Sequence, residues 1–290
     1  MREVRLKAFA KVNYALDVLG LRGDGYHEIR TVMQSISLAD EVELERTDGG
    51  FELSSEPEEA EIGPPERNTV YLAWKSLRGL ANDELPVRVT LRKMIPTGAG
   101  LGGGSADAAA VLVGLNDLFG LGLRVEELRE IGADIGADVP FCISGGTALG
   151  RGVGVVLTPL PAPPAHRLVV AKPLPSADTS MVYRLFDEAK TESVRSVDPV
   201  ISALCSGNLA ALAAAIGNDL ACVTAGLVPE VTDLEQSLTE SGALGTSMSG
   251  SGTAVYGIFG DEEAARNARD RIEAHSIGVY EPVSCGVEVV

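Results

Sequence analysis

The sequence predicts an α+β protein built in two parts, with a break near residue 160. Its strand-like segments alternate polar and apolar residues, which is typical of antiparallel sheets with one solvated face. After the break, the order strand, helices, strand, helix, strand favours helices packed on one face of a mainly antiparallel sheet. A proline-rich stretch over 159–164 is typical of a linker. We therefore expect a first domain over 1–160 and a second over 161–290.

The first part is expected to contain several strands with two or three helices between them. Asn68 is a favourable N-cap, so a helix is predicted to begin just after it. The acidic segment 47–66 contains three prolines and is predicted to be an exposed hairpin end or loop. The expected strands are 4–8, 10–18, 35–38, 41–45, 87–92 and 147–157, and the expected helices are 69–77, one ending near 119, and 126–131.

The second part is expected to contain three strands and four helices. Period-two alternation predicts the strands and period-3.6 apolar spacing predicts the helices. The expected strands are 166–172, 254–259 and 283–289, and the expected helices are 180–190, 209–221, 228–241 and 261–275.

The most informative stretch of the chain is 96–107, in which five of the seven residues from 98 to 104 are glycine. Glycine lets the main chain approach a ligand because no Cβ stands in the way. An alanine- and leucine-rich segment follows, and these residues favour a helix. Free N–H groups and the positive end of the helix dipole attract phosphate at such a helix start. The stretch therefore predicts a phosphate-binding loop, with a close-packed turn as the alternative.

Two other glycine-rich nucleotide motifs fit this stretch less well. Residues 98–103 match the G-x-G-x-x-G pattern of dinucleotide-binding folds, which would predict an NAD-dependent oxidoreductase. The preceding strand has a polar face, however, and the chain lacks a regular βαβ alternation. No Lys-Ser or Lys-Thr follows the glycines, so the P-loop pattern is absent. A second glycine cluster over 242–252 could line a pocket opposite the loop.

Composition excludes several classes of function. The formal net charge of −17 argues against nucleic acid or an anionic membrane as a partner, because both select for basic surfaces. The four cysteines are far apart, so no zinc-type spacing occurs and no metal-binding residue is predicted. We expect a cytoplasmic protein, because no signal peptide or long apolar span is evident and reduced cysteines fit that compartment.

Five segments together resemble one kinase superfamily. They are the glycine-rich stretch 96–110 and the shorter motifs 10–13, 22–27, 136–140 and 248–252. The first resembles the signature loop of the GHMP superfamily, which comprises galactokinase, homoserine kinase, mevalonate kinase and phosphomevalonate kinase. The others, in the same order, are similar to the family of 4-diphosphocytidyl-2-C-methyl-D-erythritol kinases. Ala106 departs from that family, whose loop usually has a second serine there.

The resemblance implies both a fold and a reaction. The fold would be the two-domain GHMP kinase fold, an N-terminal domain like ribosomal protein S5 domain 2 and a C-terminal ferredoxin-like sheet with helices on one face. The reaction would be ATP-dependent phosphorylation of the 2-hydroxyl of a CDP-linked methylerythritol, toward isoprenoid precursors. ATP and Mg²⁺ would be the cofactors, and the protein could be a monomer or a homodimer.

The resemblance also implies roles for individual residues. Asp138 would be the general base that deprotonates the acceptor hydroxyl. Lys11 would orient Asp138 and stabilise negative charge on the transferring group. The residues that would wrap the ATP phosphates are Pro96, Thr97, Gly98, Ala99, Gly100, Leu101, Gly102, Gly103, Gly104, Ser105 and Ala106.

The acceptor would be held by a second set of residues. Tyr26 and His27 would bind cytidine, the first by stacking and the second by a hydrogen bond to a base edge. Tyr183 would add a second stacking face, and Asn13 and Thr179 would contact polar groups of the substrate.

Three alternatives stay open at this point. Asp107 is a rival general base, because it falls in the first turn of the predicted helix. The chain could also be another GHMP-type small-molecule kinase, acting on a homoserine- or mevalonate-like substrate. A non-catalytic nucleotide-binding protein is the alternative from a different class.

Overall fold

A long antiparallel hairpin forms the centre of the fold in the computed structural model, which describes residues 2–56, 68–81, 84–189 and 196–290. Its two strands are β1 (Glu3–Leu21) and β2 (His27–Arg46). The pairing register shifts between Phe9 and Lys11 and again between Asn13 and Ala15 along β1. A bulge interrupts the alternation of side chains. The stretches expected as separate strands at 4–8 and 10–18 are therefore one bulged strand.

The remaining strands belong to two sheets. They are β3 (Phe51–Glu56), β4 (Val87–Arg92), β5 (Thr147–Gly152), β6 (Val156–Pro159), β7 (Arg167–Lys172), β8 (Gly217–Asn218), β9 (Gly245–Met248), β10 (Val255–Phe259), β11 (Ser276–Tyr280) and β12 (Val287–Val289). The first sheet has the order β12-β1-β2-β4-β3, with β5 beside β2, β6 beside β5, and β8 beside β1. The second sheet has the order β11-β7-β10-β9 and is antiparallel throughout.

The helices of the first half lie between β3 and β5, and the others lie in the second half. They are α1 (Thr69–Ala81), α2 (Gly103–Phe119), α3 (Val125–Ile135), α4 (Val139–Ser144), α5 (Thr179–Glu188), α6 (Val197–Ser206), α7 (Leu209–Ala215), α8 (Ala221–Leu227), α9 (Glu230–Glu240) and α10 (Glu262–Arg269). Among these described helices, none is both long and apolar enough to cross a bilayer.

Helix α2 is the central helix of the first half and is buried along most of its length. A Cβ added to Gly114 would lie 2.2 Å from Leu44 Cδ1 and 2.9 Å from Leu6 Cδ1, so glycine lets the helix press directly against the sheet. This close packing fixes the N-terminus of α2, and with it the glycine-rich loop that precedes the helix.

The second half differs from the sequence prediction in several elements. The helix expected over 209–221 ends at Ala215, where α7 gives way to β8 and its pairing with β1, and a separate helix, α8, begins only at Ala221. Helix α6 and strands β9 and β11 were not predicted, and the strand expected over 283–289 forms only as the short β12. Helix α10 ends at Arg269, before the expected end at 275. Long-range strand pairing decided the first of these differences, and no local pattern encodes it.

The overall architecture agrees with the predicted α+β class. The strand order of the second sheet, with helices α5, α8, α9 and α10 packed onto it through a shared apolar cluster, is that of a ferredoxin-like sheet. The division at 160 stays a prediction: the two sheets part near there, yet β8 and β12 of the second half both pair with β1. In the segment 47–66, expected to be an exposed hairpin end or loop, residues 51–56 form β3, and the part from 57 to 66 lies outside the described residues.

Candidate active site

The glycine-rich loop 96–106 forms a wall between two clefts. The larger cleft, about 740 Å³, is lined from β1, β2, α4 and α5, and the smaller, about 230 Å³, from the starts of α1 and α2 and the end of β4. Gly98, Gly100 and Gly102 line both clefts. A group bound to the loop amides can therefore face either cleft. Ala106 lines neither, because it is fully buried and its N–H donates to Gly102 O at 2.8 Å.

Main-chain conformation adapts the loop to close approach by a ligand. Gly98, Gly100 and Gly102 have φ of 62°, 74° and 74°, a region that glycine adopts with little strain. Gly102 caps α2 without a side-chain hydrogen bond. No described residue accepts a hydrogen bond from the N–H groups of Gly103, Gly104 or Ser105. The helix start thus offers several free donors at its positive end, which suits an anionic group.

An ion pair stands beside this helix start, inside the larger cleft. Lys11 Nζ lies 3.2 Å from Asp138 Oδ2, although the two residues are 127 positions apart in the chain. The Lys11 side chain is 4% exposed and the Asp138 side chain 34%, so the carboxylate is the partner that faces the cleft. Lys11 follows the first bulge of β1, and Asp138 is the N-cap residue of α4. The predicted catalytic pair is therefore assembled by the fold.

Asn13 fixes the position of Lys11. Asn13 Oδ1 accepts hydrogen bonds from Lys11 Nζ at 2.8 Å and from the backbone N–H of Gly250 at 2.9 Å. Its Nδ2 donates to Thr31 Oγ1 at 2.7 Å, and its backbone carbonyl accepts from the Tyr256 hydroxyl at 2.8 Å. Asn13 lines the larger cleft but is 2% exposed, so its polar atoms are directed mainly to protein partners.

The other residues predicted to bind the acceptor also line the larger cleft. The His27 and Tyr183 rings stack with centroids 4.6 Å apart and an interplanar angle of 29°. Thr179 lies one turn before Tyr183 on α5, and its hydroxyl is 2.7 Å from the Ser251 hydroxyl. Tyr26 is 67% exposed at the cleft mouth. Burial and the charge of Asp138 raise the pKa of Tyr183, so its hydroxyl stays neutral.

Asp107, the rival base, is placed in a different cluster. Its carboxylate pairs with Lys93 Nζ at 2.5 Å, and Lys93 also pairs with Asp40. Burial raises the pKa of Asp107 to about 7, against the attraction of Lys93. Asp40 in turn accepts from the backbone N–H of Ile95 at 2.8 Å, next to the glycine-rich loop. This arrangement supports a structural role for Asp107 at the base of the loop.

Sequence reasoning missed two charged residues of the larger cleft. Arg184 lines it, and its guanidinium has only a loose ion pair with Glu188, at 3.8 Å, among its described neighbours. Asp187 accepts a hydrogen bond from His27 Nε2 at 2.9 Å. Thr179, Tyr183 and Asp187 are spaced i, i+4 and i+8, which places them on one face of α5. This spacing in the sequence could have indicated that Asp187 lies beside the two predicted site residues.

No dedicated metal cage occurs in the part of the chain that the structure describes. Among those residues, no three His, Cys, Asp or Glu side chains are grouped so that they could hold one ion. A nucleotide-bound magnesium ion does not need one, because it takes most ligands from phosphate and water. The free N–H donors at the start of α2 fit the phosphates themselves.

Comparison with known proteins agrees with this geometry. Residues 68–146 match the GHMP kinases N terminal domain, and residues 200–277 match the GHMP kinases C terminal domain. The 4-diphosphocytidyl-2-C-methyl-D-erythritol kinase of Caldicellulosiruptor bescii is 41% identical over 270 residues, covering 93% of this chain and 94% of that protein. The enzyme of the same name from Moorella thermoacetica is 42% identical over 277 residues, covering 94% and 96%.

A solved structure gives the same result. The crystal structure of a 4-(cytidine 5'-diphospho)-2C-methyl-D-erythritol kinase superposes with a TM-score of 0.81 at 34% identity, covering 96% of this chain and 98% of that one. The resemblance and the fold class predicted from the sequence are both confirmed. The chain therefore belongs to the 4-diphosphocytidyl-2-C-methyl-D-erythritol kinase family of the GHMP kinases.

Proposed function

We propose that this protein transfers the γ-phosphate of ATP to the 2-hydroxyl of 4-diphosphocytidyl-2-C-methyl-D-erythritol, a step toward isoprenoid precursors. The observation that carries the proposal is the Lys11–Asp138 pair, 3.2 Å apart, in the cleft that shares the glycine-rich loop as a wall. Family membership implies the use of ATP. The names of relatives 41–43% identical to this chain favour the cytidyl substrate over homoserine or mevalonate.

The two substrates would enter from opposite sides of the loop. ATP would occupy the smaller cleft, with its phosphates on the free N–H groups of Gly103, Gly104 and Ser105. The acceptor would occupy the larger cleft, with cytosine near His27 and Tyr183 and its hydroxyl near Asp138. Magnesium would be held by phosphate oxygens and water, where it would neutralise phosphate charge.

Each catalytic side chain would have a defined task. Asp138 would take the proton of the attacking hydroxyl, because phosphoryl transfer depends on positioning and on that proton leaving. Lys11 would orient the carboxylate and stabilise charge on the transferring group, held in place by Asn13. Arg184 would supply positive charge near the diphosphate of the acceptor.

Location and assembly complete the proposal. The four cysteines form no disulfide, which supports a reducing, cytoplasmic compartment. The partners would be the two small-molecule substrates, without nucleic acid or membrane, and both a monomer and a homodimer would serve the reaction.

A coupled ADP-release assay with the cytidyl substrate tests the proposal. Asp138→Asn should lower kcat by about 10²–10⁴-fold, the usual contribution of a general base, while both ligands still bind. Asp107→Asn is the matched control, since it changes the rival carboxylate of the smaller cleft. Loss of turnover in the control alone, or no ADP release by the wild type, would contradict the assignment.

A further inference from the structure

The His27 imidazole is held by an acidic partner that no sequence motif identified. Its Nε2 lies 2.9 Å from Asp187 Oδ1, and its ring is stacked on Tyr183. His27 and Asp187 both line the larger cleft. The side chain of His27 is 9% exposed and that of Asp187 is 43% exposed, so the ring is fixed while the carboxylate remains hydrated.

This hydrogen bond determines which nitrogen of the neutral ring carries the proton. An ionised carboxylate only accepts hydrogen bonds, so Nε2 must be the donor. In a neutral imidazole the other nitrogen is then an acceptor with a free lone pair. Nδ1 makes no hydrogen bond to any described residue, and it is not among the polar atoms sealed from solvent.

A fixed acceptor at Nδ1 distinguishes between pyrimidine bases. Cytosine presents a 4-amino group, which donates, whereas a uracil-type base presents a 4-carbonyl oxygen, which accepts. An acceptor in the site pairs with the amino group and repels the carbonyl. A site built to hydrogen-bond one group rejects an analogue that leaves its polar atoms unpaired.

We propose that Asp187 is a specificity-determining residue: by fixing His27 as the Nε2–H tautomer, it makes the site select a cytosine nucleotide over a uracil nucleotide. The inference rests on the proposed function, because that function places a cytosine base at His27. Asp187 is a positioning residue, since it acts on the ligand through the histidine ring. Its readout is base discrimination rather than overall activity.

The decisive variant is Asp187→Lys, which replaces the acceptor by a donor. A lysine that donates to Nε2 favours the Nδ1–H tautomer, and the ring then presents a donor to the base. The ratio of kcat/KM for the cytidine substrate to kcat/KM for its uridine analogue should fall by about tenfold or more. The added positive charge attracts both diphosphates equally, so it cancels in the ratio.

Two further variants control this experiment. Asp187→Ala removes the acceptor without adding a donor, so both tautomers become accessible and the ratio should fall by about threefold or more. Glu263→Lys makes the same change of charge at an exposed position on α10 and should leave the ratio unchanged. A ratio that stays within about twofold of the wild type in both Asp187 variants overturns the inference.

A spectroscopic measurement tests the tautomer directly. The chain has three histidines, so the imidazole ¹⁵N signals of His27 can be assigned with a single His27→Gln variant. At about pH 8 the wild type should show the Nε2–H form, and Asp187→Lys should increase the Nδ1–H form. An Nδ1–H or imidazolium form in the wild type overturns the inference.

Binding measurements separate this inference from the proposed function. The affinities of CDP and UDP, measured by calorimetry, require no turnover and should show the same change in ratio in Asp187→Lys. An inactive wild type with a CDP preference that depends on Asp187 would contradict the kinase assignment and retain this inference. An active wild type whose preference for CDP does not depend on Asp187 would support the kinase assignment and overturn this inference.

Discussion

Gly100 is the position at which a single added methyl group is expected to do most damage to the glycine-rich loop. Its φ is +74°, in the left-handed region, and a Cβ there would lie 2.0 Å from the carbonyl oxygen of Ser249. Ser249 also donates its hydroxyl to Gly100 O at 2.9 Å, so the two segments cannot separate freely. Gly100→Ala must therefore strain the main chain and move a buried neighbour.

The magnitude follows from these two effects. A left-handed conformation costs alanine about 1–2 kcal/mol. Forcing extra volume into a packed site costs about 1–3 kcal/mol. We expect Gly100→Ala to lower the free energy of unfolding by about 2–5 kcal/mol, measured by urea denaturation followed by circular dichroism. ADP release should fall as well, because the loop is displaced relative to the cleft.

Gly104→Ala is the matched control within the same loop. Its φ lies outside the left-handed region, and the added Cβ would meet Thr69 Oγ1 at 3.4 Å, an ordinary contact. Alanine also favours a helix over glycine by about 0.5–1 kcal/mol. This variant should be as stable as the wild type or slightly more stable. Equal free energies of unfolding for the two variants would contradict this prediction.

Three further predictions concern side chains around the two clefts. Lys93→Met leaves Asp40 and Asp107 buried without a cation and should cost about 3–5 kcal/mol in urea denaturation, and an unchanged midpoint would contradict this. The pKa of Asp107 is raised from 3.8 to about 7, so between these values the folded chain holds a proton that the unfolded chain has lost. This group therefore makes stability fall as pH rises through that window, and Asp107→Asn should flatten the slope. Tyr26 is 67% exposed, so Tyr26→Ala should leave the thermal midpoint unchanged but raise KM for the cytidyl substrate about tenfold. An unchanged KM would remove Tyr26 from the cytidine site.

Local patterns predicted the elements whose signals lie in adjacent residues. The alternation in β4 and the cap of α1 by Asn68, whose side chain accepts from the backbone N–H of Val70 at 2.8 Å, are both as expected. The glycine-rich loop and the helix that follows it were also predicted correctly from the sequence. Glycine content and helix propensity act within a few residues, so a short stretch of sequence is enough to predict their effects.

Elements that depend on distant partners were not predictable in this way. Strand β8 exists because Gly217 and Asn218 pair with β1, and that pairing interrupts what resembled one helix. The bulges of β1 likewise depend on the strand beside it. Because they interrupt the alternation of side chains, the sequence pattern predicted two strands where there is one. The energy of such pairing comes from residues far apart in sequence.

The family, the fold class and the chemical types available in the site all followed from the amino-acid sequence alone. The family resemblance of the sequence motifs identified Lys11, Asp138 and His27 as candidates, but it gave no distances between them. The folded structure was needed to show that Asp138 and not Asp107 pairs with Lys11, and that Asp187 hydrogen-bonds His27. These contacts join strands and helices that are far apart in the chain, so their side chains come within hydrogen-bond distance only when the chain folds.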